Sequence, residues 1–148
     1  MYTGPGRVID LDPSILLGKI ELSTNDEVLI KRQISAMYMA VFNFWSAIEY
    51  YHNGKTGNGR SKEPDDFQEI QFDAAMLKEK VTREIIALST FRNACDHRLN
   101  NPAKNIIFIN NTTQSPVVPL TINNNALRKA YNSFTTLITM LKTKYNIP

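Results

Sequence analysis

Apolar residues recur at helical spacing in three long stretches of the chain. In the first, Ile30, Ile34, Met37, Val41, Phe44, Ile48 and Tyr51 alternate steps of four and three. Tyr38, Phe42 and Trp45 form a second stripe beside them. A helix apolar over so much of its circumference must be covered on several sides, at the centre of a bundle or in a subunit interface. Ser23, Thr24 and Asn25 offer caps, Asp26 and Glu27 suit the first turn, and Gly54 ends the run. The second stretch begins somewhere between Pro64 and Asp73 and reaches about Asn100, where Pro102 stops it. Leu77, Val81, Ile85, Leu88, Cys95 and Leu99 are spaced for one face of it. The third begins after Asn123 to Asn125, and its stripe is Leu127, Ala130, Tyr131, Phe134, Leu137, Ile138, Leu141 and Tyr145.

Shorter elements fill the gaps. Residues 1–9 contain glycine and proline and read as a loosely held arm. Asp12-Pro13 reads as an N-cap with proline at the first helical position, opening a short helix to about Leu22. Lys55 to Lys62 is a polar, glycine-rich loop. Between Asn105 and Ile122 the character changes: Ile106 to Ile109 and Val117-Val118 flank a polar Asn110 to Gln114 run. That pattern predicts a small β-hairpin or extended excursion, kept to an edge by Pro116 and Pro119. The sum is one all-α domain over residues 1–148. Its expected form is an up-and-down bundle of four to five helices with a hairpin-like insertion near 105–122.

Composition narrows the class. The chain has 148 residues, enough to bury a core without disulfide or metal staples. Its hydrophobic fraction of 43% and charged fraction of 21% are those of a globular protein. No apolar run reaches the roughly 18 residues of a membrane span. Residues 1–6 have neither a basic nor an apolar signal region. With Cys95 as the single cysteine, a reducing, cytoplasmic setting is expected and no membrane association. A net charge of +3 and a pI near 9.0 are compatible with a nucleic-acid partner without requiring one.

Candidate chemistry is found by elimination. Two histidines, His52 and His97, and one cysteine do not make a zinc cluster, so no metal is expected. There is no P-loop, GxGxxG or GxSxG, and no cofactor is expected. Asp65-Asp66 after Pro64 suits a helix dipole, and His52 suits a helix end. Phe91-Arg92-Asn93-Ala94-Cys95-Asp96-His97-Arg98 remains, near the end of the second long helix. Asn93 and His97 share a face there, as do Arg92 and Asp96. Arg92 and His97 lie about 140° apart on a regular helix, so both meet one ligand only if the helix loosens or the ligand lies across it.

RNA cleavage by the 2′-hydroxyl needs proton transfer and a cation for the charged phosphorane, and no metal. Histidine titrates in the right range for the first, and arginine grips phosphate oxygens for the second. A two-fold dimer would set two Arg92 and two His97 around one cleft and supply both proton-transfer roles. Against this, an Arg-x(4–6)-His match arises by chance in roughly one such chain in four. The bland alternative is a helix C-terminus whose His97 and Arg98 complement the dipole.

The chain resembles the HEPN superfamily over most of Asn25 to Tyr145. The resemblance rests on Arg92-Asn93-x3-His97, on its place late in the second long helix, and on the aromatic-rich run from Ile34 to Ile48. It implies a helical bundle that dimerises, and metal-independent endoribonuclease activity of a toxin or defence type with RNA as substrate. By that resemblance His97 is the acid and base, Arg92 the phosphate clamp, and Asn93 orients His97 or contacts substrate. Arg98 adds a cation, and Asp96 is a neighbour that would raise the histidine pKa. Glu27-x3-Lys31-Arg32 echoes an acidic-x3-Lys-Arg element of some members, although that spacing is also an ordinary surface helix pair. Members paired with a nucleotidyltransferase antitoxin often carry tyrosine two places after the histidine; Leu99 stands there, which weakens the case for that regulation. The alternatives are a non-catalytic helical interaction module and an RNA- or nucleotide-binding domain without turnover.

Overall fold

The structure is a computed structural model that describes residues 11–53, 64–97 and 122–148, with 50–53, 64–65 and 96–97 described by backbone alone. The expected arm at residues 1–9, the loop at 55–62, and all of the expected insertion except Ile122 lie outside these residues. The described residues are helical without strands: a 3-10 turn at Pro13–Leu16, α1 Glu27–Asn53, α2 Pro64–Gln68, α3 Ala75–His97 and α4 Asn124–Tyr145. No helix among them is long and apolar enough to cross a membrane.

Each long helix packs against the other two. Their directions follow from side-chain contacts. The Asn124 amide at the start of α4 donates to the Leu22 and Thr24 carbonyls just before α1. At the other end, the Tyr145 hydroxyl donates to the Glu49 carboxylate. Hence α1 and α4 run parallel. Arg92, late in α3, lies over Tyr38 in the first half of α1, so α3 runs antiparallel to both. The result is the up-and-down helical bundle that the periodicities predict.

Helix α1 is the centre, and both of its apolar stripes are covered. Ile34, Met37, Val41, Phe44 and Ile48 are fully buried, and Tyr38 and Trp45 nearly so. They meet Val81, Ile85 and Leu88 of α3 and Leu127, Phe134, Leu137 and Leu141 of α4 in one core. Short α2 supplies the lid of the second stripe. Its Phe67 is fully buried, stacked 4.7 Å from Trp45 and edge-on to Phe42 at 5.9 Å. Such pairs stabilise by about 0.5–1.5 kcal/mol beyond their buried area.

Three expectations change in detail. Asp26 is the cap of α1: its Oδ1 accepts from the Val28 and Leu29 N–H groups at 2.9 and 3.2 Å, while Thr24 Oγ1 accepts from Asp26 N–H. The helix expected from Pro13 to about Leu22 is only the turn Pro13–Leu16. Beyond it, side chains satisfy the backbone and replace a helical ladder. Gln33, 8% exposed, accepts from Glu21 N–H at 2.6 Å and donates to Glu21 C=O at 3.2 Å. The Tyr131 hydroxyl takes the Leu17 carbonyl. The second long helix is divided: α2 stops at Gln68 and α3 starts at Ala75, with the Lys78 and Thr82 side chains donating to the Gln68 carbonyl. Leu77 is therefore not in the core; it is 46% exposed in the first turn of α3, beside exposed Met76. The face of α3 begins at Val81.

Both ends of α4 are closed locally. Asn123 accepts from Ala126 N–H at the start. Asn146 takes the left-handed conformation at the end, with Ile147 N–H bonded to Lys142 C=O and the Ile147 side chain buried. Lys142 Nζ also reaches Asp12 Oδ2 at 2.6 Å, tying the first described residues to the last helix. Burial would raise the Asp12 carboxyl, but hydrogen bonds from Lys142 and Ser14 outweigh it and hold the pKa below its ordinary value. Tyr145 is pushed the other way: burial, and then the Glu49 carboxylate that accepts its hydrogen bond, raise its pKa far above the phenol range.

Two stability measurements follow. Gln33→Leu should cost about 1 kcal/mol in urea unfolding, because the Glu21 N–H and C=O lose their partner; an unchanged midpoint would show that water replaces the amide freely. Asp12→Asn should cost about 0.5–1 kcal/mol near neutral pH. Because the folded pKa is lowered, this contribution is complete above the ordinary value of 3.8 and vanishes as pH falls through the folded value. A cost that persists in strong acid would show that the carboxylate charge is not its source.

Candidate functional site

The motif occupies the last two turns of α3. Helix is favoured there because Ala94 and Cys95 are buried against the core, with half-buried Phe91 packed beside them. Thr90 Oγ1 donates back to the Ile86 carbonyl at 2.7 Å, within the helix. Arg92 and Asn93 are half-buried at the margin of this buried face.

Arg92 is held on two sides. Its Nη1 donates to Asn93 Oδ1 at 3.3 Å, and its guanidinium carbon lies 5.5 Å from the centroid of the Tyr38 ring. The Nε is shielded from solvent. A guanidinium over a tyrosine face is attracted by the ring quadrupole, by about 0.5–2 kcal/mol according to exposure. Tyr38 is itself braced by Phe42, stacked at 6.0 Å with an interplanar angle of 8°. The cation is thus set against a stacked pair of aromatic rings that belongs to another helix.

The structure brings together Arg92, Asn93 and Tyr38. Asp96 and His97 continue the same α-helix, so the helix does not loosen between Arg92 and His97. Their Cα positions are then about 140° apart around the axis and about 7.5 Å apart along it. A ligand touching both must lie across the helix surface. Arg98 and the side chains of Asp96 and His97 lie outside the described residues.

Lys31 and Arg32 stand near the start of α1, at the end of the bundle toward which α3 runs. Lys31 Nζ donates to Glu27 Oε1 at 2.7 Å, one turn back, which is the ordinary surface helix pair. Arg32 is exposed. Among the described residues no group of three or more His, Cys, Asp or Glu is placed to hold a metal ion.

Tyr38 is the member of the site that sequence reasoning missed, because its spacing marks it only as part of a core stripe. The one available signal was chemical: a phenol or an arginine near a core stripe needs a polar or π partner. Which partner it finds depends on how α1 and α3 are juxtaposed. Compared with protein-family models, with curated proteins and with solved structures, the chain shows no match in any of the three. Fold and site therefore define the class from the residues themselves. It is a helical bundle with an arginine fixed at the exit of its second long helix.

A double-mutant cycle tests the platform. Tyr38→Leu and Arg92→Gln, combined, should show a coupling of about 1 kcal/mol in unfolding free energy. Additive single effects would mean that the ring and the guanidinium do not interact.

Proposed function

We propose that the chain is a metal-independent endoribonuclease of the HEPN type, working as a homodimer in a reducing cytoplasm, in a toxin or defence role. The observation that carries the reading is the guanidinium of Arg92 held against Asn93 and the Tyr38 ring, five positions before His97 on a continuous helix. A phosphate clamp must be fixed before substrate arrives, because electrostatic stabilisation is strongest when the dipoles need no reorganisation. Asn93 and Tyr38 provide that fixation. Asn93 is accordingly a positioning residue for Arg92 in this reading.

The reaction is an internal displacement. The ribose 2′-oxygen attacks phosphorus while His97 of one protomer takes its proton. The P–O5′ bond breaks, and the partner's His97 gives a proton to the departing 5′-oxygen. The products are a 2′,3′-cyclic phosphate and a 5′-hydroxyl. Arg92 neutralises the phosphorane oxygens throughout. Arg98 adds positive charge for the RNA strand, and Lys31 and Arg32 extend it along α1. An antitoxin protein would hold such an enzyme in check.

The test is cleavage of RNA in the presence of EDTA, with the product ends identified by their phosphate chemistry. Arg92→Ala and His97→Ala should each lower the rate by at least about a hundredfold while helix content stays that of the wild type. Full activity in either folded variant would remove the proposed chemistry. Salt-sensitive RNA binding without any turnover would replace the nuclease by a binding domain.

A further inference from the structure

The charges of this chain are unevenly distributed. All 14 Asp and Glu residues lie within residues 1–96, whereas residues 97–148 carry six Lys and Arg and no acidic side chain. Within that second part, α4 contains Arg128, Lys129, Lys142 and Lys144. Two of these cations are engaged: Lys142 with Asp12, and Lys144 over the Phe72 and Tyr145 rings at 5.1 and 5.3 Å. Arg128 and Lys129 are exposed. They lie on a solvent face of α4 that continues through Asn125, Asn132, Thr139 and Thr143, all exposed and uncharged.

We infer that this face of α4 is a docking surface for the phosphate backbone of single-stranded RNA. Charge complementarity is the reason. A solvated helix face usually interleaves both signs, as α3 does with Lys78, Glu79, Lys80, Arg83 and Glu84. The α4 face has cations and neutral hydrogen-bonding side chains, so nothing on the helix repels a polyanion. Arg128 is also oriented: its Nε donates to Asn124 Oδ1 at 2.9 Å, and the Asn124 amide is anchored on the Leu22 and Thr24 carbonyls. That brace leaves the outer nitrogens of the guanidinium for a phosphate. Position agrees with this. Arg128 and Lys129 stand in the first two turns of α4, at the bundle end where antiparallel α3 brings Arg92 and His97. A strand held along α4 is thereby led toward that end. The choice of RNA among polyanions rests on the ribonuclease reading.

The experiment measures fluorescence anisotropy of a labelled single-stranded 2′-O-methyl RNA, which binds without being cut, as salt is raised. Arg128→Gln with Lys129→Gln should weaken binding roughly tenfold. It should also flatten the plot of log affinity against log salt by about 0.7 for each phosphate that is no longer neutralised. Lys129→Gln alone, which leaves the Asn124 brace intact, should give about half of the flattening. Lys80→Gln with Arg83→Gln removes the same charge from exposed positions on α3 and should change neither quantity. Unchanged binding in the α4 variant, or an equal loss in the α3 control, overturns the inference. So does a wild-type protein that binds anionic lipid vesicles and no RNA. Cleavage of unmodified RNA, followed in parallel, separates the two readings. Binding that depends on Arg128 and Lys129 without cleavage keeps the surface and sinks the nuclease. Cleavage with unaltered binding in the α4 variant does the reverse.

Discussion

Everything in this fold depends on burying α1 from more than one side. Its two adjacent stripes, Ile34 to Ile48 and Tyr38 to Trp45, cover too wide an arc for a single partner helix. Antiparallel α3 and parallel α4 cover the first, and Phe67 of α2 closes over the aromatic second. The smaller contacts serve that packing. Gln33 and Asn124 fasten the turn-rich segment before α1 to the bundle, and Asp12 reaches across to Lys142 on α4. These bonds are individually modest; those of Gln33 and Asn124 matter because they satisfy backbone groups outside the helices.

The same packing produces the candidate site. Tyr38 starts the second stripe at a point that α3 also reaches, and Arg92 lies over its ring. A cation at the margin of a core is tolerable because its Nη1 donates to Asn93 and its flat face meets a π system. What this costs in flexibility is gained in preorganisation. The functional reading draws on that rigidity, on the chemistry of an arginine followed by a histidine, and on the separation of charge that leaves α4 without a carboxylate.

The bundle was legible in the sequence because helical burial is periodic. The stripes from Ile30 to Ile48 and from Leu127 to Tyr145 are buried or half-buried where the description reaches them, and α4 ends where the apolar pattern ends. The errors fall where periodicity says least. Leu77 continues the spacing of α3 by arithmetic, but it sits in a first turn where it is 46% exposed. The segment after Pro13 has apolar residues at helical intervals, yet side chains from distant positions take over its hydrogen bonds and it turns instead.

Spacing along one chain was enough to specify the three long helices, most of the face each buries and the motif at the end of α3. The partners of those faces came from the way the helices assemble. Only the antiparallel sense of α1 and α3 places Tyr38 under Arg92, and only the parallel sense of α1 and α4 brings Arg128 to the same end as the motif. A spacing rule records which residues share a face of one helix. Contacts between helices depend on the direction and rotation of both, and those are settled by how the whole core closes.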